Sequence, residues 1–261
     1  MRIGEMASHM MMMARNQENY TEKLYKANQQ MATGKRVNSA ADDPSMIGRI
    51  ERTKAQLNES KWTQGALEDG INRNAMIEAT LESARANGDE LSSIAMRYQA
   101  EDADKPQMET QAKDLLNAMA DTFTEASYNQ TNPFDQDTSL FRISKNENDP
   151  STYDIRKNDG AVLEGKTISD ILDPEFIQEN LTNEIAGSKS RVGTSTTILE
   201  SKANYEKTKE EILTKSLSNM QDADLTEAST QATIAKQMIQ INQNMMSSWH
   251  EQAGSVLDIR V

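Results

Sequence analysis

The stretch Gln29-Gln30-Met31-Ala32-Thr33-Gly34-Lys35-Arg36-Val37-Asn38-Ser39-Ala40-Ala41-Asp42-Asp43-Pro44 decides the fold, because one apolar helical pattern stops in it and a different, charged one begins. Gly34 tolerates positive φ just past a helix end, Asn38 and Ser39 carry side chains that cap backbone groups, and Pro44 fits the first turn of a new helix. The stretch reads as helix, corner, helix. Upstream of it, Met10, Met13, Gln17, Tyr20, Leu24, Ala27 and Met31 alternate spacings of three and four. That is a heptad row with one polar position, and a helix presenting such a row calls for a partner helix.

The far end of the chain repeats this division in reverse order. Asp222-Ala223-Asp224-Leu225 is a second corner, and Asp224 with Glu227 has the form of a capping box that starts the final helix. In that helix Leu225, Ala228, Ala232, Ala235, Ile239, Asn242, Met246, Trp249, Ala253 and Val256 make a heptad row. Ile234, Met238, Ile241 and Met245 make a second row beside it, which predicts burial over most of the circumference. From Ala228 to Trp249 Lys236 is the only formal charge. An apolar face of that length marks a partner surface. With matching rows at both ends, the simplest account is that the two termini pair with each other and then with further copies of the chain. A membrane is a poorer partner, since neither terminal segment has a cationic polar face.

Between the corners, Ile47, Ile50, Leu57, Leu67, Ile71, Ile77 and Leu81 lead a second helix as far as Tyr98, with Gly65, Gly70 and Gly88 as places to bend or break it. Glu101 to Pro106 is a polar turn, after which Met108, Ala112, Leu115, Met119, Phe123 and Ala126 form a third stripe. The character then changes. Pro133, Pro150, Gly160 and Pro174 mark turns, 139–144 and 152–156 read as strands, and 168–172 and 176–185 as short helices. From Arg191 the helical pattern returns with Val192, Leu199, Ala203, Leu213, Leu217 and Met220. The expected fold class is mainly α, an elongated antiparallel helical bundle or coiled coil built from both chain termini with a small α+β insertion. The expected division is an N-terminal arm (1–40), the N-terminal part of a helical rod (41–130), the insertion (131–188), the C-terminal part of the rod (189–221) and a C-terminal arm (222–261).

The 261 residues are only 36% apolar and 5% aromatic, with a mean hydropathy of −0.76. That is thin for a compact enzyme and sufficient for long helices that each bury one stripe. Sixteen Met supply adaptable packing surfaces. A net charge of −13 without a basic cluster argues against nucleic acid as a partner. There is no Cys, hence no disulfide and no thiolate metal site. Met1-Arg2-Ile3-Gly4-Glu5-Met6 lacks the basic start, apolar run and cleavage site of a secretory signal, and no apolar run reaches about 18 residues. The expectation is residence in the cytoplasm or export by a route without a cleaved signal. Metalloprotease chemistry needs two His one turn apart with a Glu between them. Here His9 and His250 are the only His, and His250-Glu251 is followed by Gly254 where the second His belongs. Asp42-Asp43 is better explained as a helix N-terminal pair facing the dipole than as a catalytic carboxylate pair. No catalytic residue, metal site or cofactor is expected.

Three stretches resemble the bacterial flagellin family, which includes the filament flagellins and the hook-associated junction protein that shares their terminal domains. Met31 to Pro44 is similar to the family's N-terminal signature. Gln64-Gly65-Ala66-Leu67, Leu81 to Arg85 and the Asn129 to Phe134 turn resemble the first long helix of its stem and the region after that helix, and Asp222-Ala223-Asp224-Leu225-Thr226-Glu227-Ala228 resembles the start of its C-terminal arm. The resemblance leaves the insertion unmatched. It implies that the two arms form an inner coiled-coil tube, that the longer helices form an outer rod and that the insertion faces outward. It further implies self-assembly into a helical homopolymer at the cell exterior, export unfolded through the flagellar channel, and an export chaperone, a filament cap and junction proteins as partners. The assembly residues are then the rows Met10, Met13, Tyr20, Leu24, Met31, Leu225, Ile234, Met238, Ile239, Ile241, Met245, Met246 and Trp249. The corners are Gly34, Asn38, Asp42, Asp43, Pro44, Asp222, Asp224 and Glu227. Family members recognised by the vertebrate innate receptor carry Arg-Glu-Leu where this chain reads Arg85-Ala86-Asn87. The opening Met1-Arg2-Ile3 and the form Asp43-Pro44-Ser45 look as much like the junction protein as like a filament flagellin. The residues leave three readings open: filament subunit, junction protein and, from another class, a cytoplasmic helical binding module.

Overall fold

The computed structural model describes residues 3–149 and 151–258, with side-chain surroundings for 8–149 and 151–251. Met1, Arg2, Pro150 and the last three residues lie outside the described set, as do the side chains of Ala253 and Val256. In chain order the elements are α1 (Ile3–Thr33), α2 (Pro44–Tyr98), α3 (Lys105–Glu125), α4 (Pro133–Gln136), β1 (Arg142–Lys145), β2 (Tyr153–Arg156), β3 (Val162–Lys166), α5 (Ile168–Ile171), α6 (Pro174–Ile177), a π-helical stretch (Gln178–Thr182), α7 (Asn183–Gln221) and α8 (Leu225–Asp258). The fold is mainly α with a small α+β insertion, as the patterning predicts, and the insertion carries a third strand beyond the two expected. Two compact units are formed, one by residues up to 60 together with those from 209 onward, the other by residues 61–208.

In the first unit α1 ends where Gly34 takes φ +69° and donates its N–H to the Gln30 carbonyl at 2.8 Å. A left-handed residue in that place closes the helix at little steric cost only if it is glycine. α1 and α8 pack along each other. Asp224 starts α8 by accepting from Thr226 N and Glu227 N at 2.9 and 3.1 Å. The expected capping box is completed differently, for the Glu227 carboxylate accepts instead from Gln231 Nε2 at 2.9 Å.

α2 runs unbroken through Gly65, Gly70 and Gly88. Each interior glycine costs about 1 kcal/mol relative to alanine. The buried stripe Ile77, Leu81, Ala84, Leu91 and Ile94 outweighs that cost. Gly70 also has a packing use, because an added Cβ there would lie 3.2 Å from Leu199 Cδ1 on α7.

The second unit holds the larger core. Asp104 caps α3 through Gln107 N, and α3 buries Ala112, Leu116, Met119 and Phe123. Beyond it Asn129 and Gln130 both take positive φ, +48° and +65°, in a two-residue turn that closes Tyr128 on Thr131. Asn132 then joins α3 to α4. Its Nδ2 donates to the Phe123 carbonyl at 2.7 Å and its Oδ1 accepts from Phe134 N at 2.9 Å.

The sheet is an antiparallel meander in the order β1-β2-β3, with Ile143 opposite Ile155. Its inward residues Ile143, Tyr153 and Ile155 are buried, and the Tyr153 hydroxyl donates to Asn117 Oδ1 at 3.0 Å. β1 starts later than the strand-like run at 139–144, because Asp137 Oδ1 holds Ser139 N and Oγ in a turn. β3 departs from the patterning altogether. It is mostly exposed, its pairing with β2 is shifted between Tyr153 and Ile155, and Gly165 within it sits at φ +61° with its N–H on Asp154 Oδ1. The turn before it is tied to α7: buried Ser188 donates to Asn158 Oδ1 and accepts from Phe141 N, while Asn158 N donates to Glu184.

Helical backbone also resumes earlier than Arg191. Asp173 caps α6 with Pro174 in its first turn, and Ile177, Leu181 and Ile185 then carry one buried row through the π-helical stretch into α7.

Candidate functional site

α1 and α8 run antiparallel in the first unit, held at two places. At one end His9 stacks on Trp249, with ring centroids 5.7 Å apart and an interplanar angle of 25°. At the other, Lys35 and Asp222 form an isolated antiparallel bridge. Between them Met13, Ala27, Ala228, Ala232, Ala235 and Asn242 are buried, and Met10, Tyr20, Leu24, Ile239, Met246 and Trp249 are half-buried. The two heptad rows therefore meet each other within one chain. Met31 and Leu225, at the corner end of the rows, stay outside that contact at 37% and 52% exposure.

The second row departs from the expected burial. Ile234, Met238, Ile241 and Met245 are between 37% and 50% exposed, and Met11, Met12 and Tyr25 are exposed on α1. The reason is geometric. α1 offers a single heptad row, and a single row covers one stripe of its partner, so the adjacent stripe of α8 is left facing out.

The two corners, assigned separately from the sequence, are bonded to each other. Ala223 N donates to the Gly34 carbonyl at 2.9 Å and Arg36 N to the Gln221 carbonyl at 2.7 Å. Arg36 also donates from its guanidinium to the Met220 carbonyl at 3.2 Å, and Asp222 accepts from Ser218 Oγ. Under this backbone pairing Val37, Ile50 and Met220 form a small buried cluster flanked by Met46, Ile47 and Leu217. Arg36, Val37, Met220 and Gln221 were absent from the residues expected to make the corners. Val37 carried the available signal, as the one branched apolar side chain between Gly34 and Pro44.

Asp42 and Asp43 hold the first corner from two sides. Asp42 Oδ2 accepts from Asn38 N, Ser39 N and Ser39 Oγ at 3.0, 2.8 and 3.1 Å, and Lys26 Nζ lies 4.0 Å from its other oxygen. Asn38 Nδ2 donates to the Lys35 carbonyl at 2.9 Å. Asp43 caps α2, accepting from Ser45 Oγ, Met46 N and Ser45 N at 2.8, 3.0 and 3.1 Å, with Pro44 as the first helical residue. The backbone N–H groups of Ser39 and Asn38 hold the Asp42 carboxyl below its ordinary range, and the Ser45 hydroxyl, then Met46 N–H, do the same for Asp43.

A depressed carboxyl pKa stabilises the fold above the unfolded value, about 4. That stabilisation is lost as pH falls through the lower folded value. The thermal midpoint of the chain is therefore expected to fall as pH drops below about 4, and Asp42→Asn/Asp43→Asn to flatten that dependence. Thermal melts followed by circular dichroism from pH 7 to 2.5 would check it. Parallel slopes for both proteins would count against a role of these carboxylates in the corner.

Among the described residues there is no group of three or more His, Cys, Asp or Glu able to hold a metal ion, and no helix long and apolar enough to cross a membrane. His9 is occupied by its stack, and His250 Nδ1 lies 3.0 Å from the Met246 carbonyl. What the site offers is surface: an intramolecular helical pair, braced at its corner, with an apolar row left over.

Residues 5–139 match the family model for the bacterial flagellin N-terminal helical region, and residues 176–259 that for the bacterial flagellin C-terminal helical region. No curated protein matches the chain.

Proposed function

Since the chain belongs to the bacterial flagellin family, a family of structural rather than catalytic proteins, we propose that it is the structural subunit that polymerises into the flagellar filament used for swimming. The observation that carries this reading is the apolar row Ile234, Met238, Ile241 and Met245, which stays exposed after α1 and α8 have paired. Further copies of the same chain, arranged helically, bury such a row without a second protein. In this reading the arms 1–40 and 222–261 line the tube, the segments 41–130 and 189–221 form the rod and 131–188 faces outward. Gly34, Asn38, Asp42, Asp43 and Pro44 with Asp222, Asp224 and Glu227 set the angle between arm and rod. The subunit leaves the cell unfolded through the flagellar channel with a chaperone's help, and is added beneath a cap.

Seeded assembly of the purified chain, followed by electron microscopy, tests the proposal. The full chain is expected to give long filaments and the chain lacking 222–261 to give none while its remaining helices persist by circular dichroism. Long filaments from the truncated chain would sink it. The forms Met1-Arg2-Ile3 and Asp43-Pro44-Ser45, as similar to the junction protein as to a filament flagellin, leave a second reading, a hook–filament junction protein. Copy number separates the two, since a junction protein is present as a single ring of copies and a filament subunit along the whole length. A cytoplasmic binding module would be retained inside the cell.

A further inference from the structure

The two heptad rows each contain one polar side chain, Gln17 in α1 and Asn242 in α8. Both rows alternate the same steps of three and four, and they run antiparallel between the His9–Trp249 stack and the Lys35–Asp222 bridge. Taking the row residue nearest level between these anchors pairs Met13 with Met246, Tyr20 with Ile239 and Ala27 with Ala232. The same pairing sets Gln17 level with Asn242, and Gln17 lines one open groove with Met246, a turn along α8. Gln17 Oε1 and Asn242 Nδ2 are both buried, and neither has a hydrogen-bond partner among the described residues. One is an acceptor and the other a donor, so the two are chemically matched to pair with each other.

We propose that Gln17 and Asn242 form the polar layer that fixes the register of the α1–α8 pair. An apolar heptad row specifies its register weakly, because sliding α8 by one heptad brings every row position opposite another row position. With the two amides present, the slide sets Gln17 against Trp249 or Ala235 and Asn242 against Leu24 or Met10. Against Ala235, Leu24 or Met10 an amide then meets no side chain able to pair with it as the other amide does, and against Trp249 Gln17 meets only the indole N–H, which penalises the slipped pairing more than the true one. A single polar layer costs some stability and gives one alignment in return. The inference concerns pairing within the chain and holds whether the protein serves as filament subunit or junction.

The chain has no cysteine, so introduced pairs report register without background. Ala27→Cys with Ala232→Cys marks the observed register. Ala27→Cys with Leu225→Cys and Met31→Cys with Ala235→Cys mark slides of one heptad in either direction. Each pair is placed in the full chain with native amides, with Gln17→Leu/Asn242→Leu, and with the exchanged pair Gln17→Asn/Asn242→Gln. Oxidation is carried out on the soluble protein and on sedimented assemblies, and non-reducing gels separate internal loops from dimers.

With native amides the first pair is expected to close while both slid pairs stay reduced. With two leucines the slid pairs should close about tenfold more, and the exchanged amides should restore the native pattern. Slid pairs that close equally with and without the amides would overturn the inference. So would failure of the first pair to close in both soluble and assembled protein.

Discussion

Ile241→Glu combined with Met245→Lys is expected to abolish polymerisation while leaving the soluble chain folded. Both residues lie in the exposed row, at 50% and 42% exposure, so neither substitution opens a cavity or strands a buried partner. Placed four apart in the order Glu then Lys, the new side chains support the helix by a few tenths of a kcal/mol, so loss of helix cannot explain the outcome. In a polymer that buries this row the position reverses. Two apolar side chains stop contributing about 1.5 kcal/mol or more each, and two charges must be desolvated as well. The concentration needed for assembly should rise at least about a hundredfold, since every 1.4 kcal/mol is a factor of ten. Sedimentation of seeded reactions reads this directly. Ile241→Leu with Met245→Leu, which keeps the row apolar, should assemble at the original concentration. Normal assembly of the charged variant would mean that another surface carries the contact.

Why this row, and not the other, faces outward was beyond the sequence. Steps of three and four are a local property, so both rows of α8, the row of α1, the stop at Gly34 and the start at Asp224 could be read without knowing any tertiary contact. Which stripe of α8 its own chain would cover depends on how many rows α1 could offer, and the row prediction for α8 counted both as buried. The bonding of the corners was hidden for a related reason. Gly34 to Arg36 and Gln221 to Ala223 each looked complete as an isolated turn, yet their backbone groups satisfy each other across the whole intervening chain. In the insertion, β1 and β2 showed themselves through Ile143, Tyr153 and Ile155, whereas β3 has little apolar alternation because most of it faces solvent and a bulge at Gly165 breaks its register. The short helix expected at 176–185 was legible in Asp173-Pro174 and in the four-residue steps of Ile177, Leu181 and Ile185; its continuity with the helix expected from Arg191 was not, because a π-helical stretch lies between α6 and α7.

The second large effect belongs to the core of the other unit. Phe123 is fully buried at the C-terminal end of α3 and meets Phe134 and Phe141 edge-on, with ring centroids 5.0 and 5.7 Å away. Its own carbonyl is the acceptor for Asn132 Nδ2, so the ring and the backbone of one residue fix the chain's turn from α3 into α4. Phe123→Ala removes the ring from between its two neighbours, and the rigid turn beneath prevents the site from collapsing around the gap. The expected loss is about 3–5 kcal/mol, which lowers the melting temperature by roughly 10 °C in a chain of this size. Trp62→Ala removes a larger side chain and should cost less than about 0.5 kcal/mol, because Trp62 is 81% exposed. Paired thermal melts of the two variants decide the matter. If the exposed tryptophan mattered as much as the buried phenylalanine, the stability of this chain would not reside in the small aromatic core beside its insertion. A heat-labile Phe123→Ala chain that still assembles when cold would place the polymer contacts outside that core, where the exposed row of α8 lies.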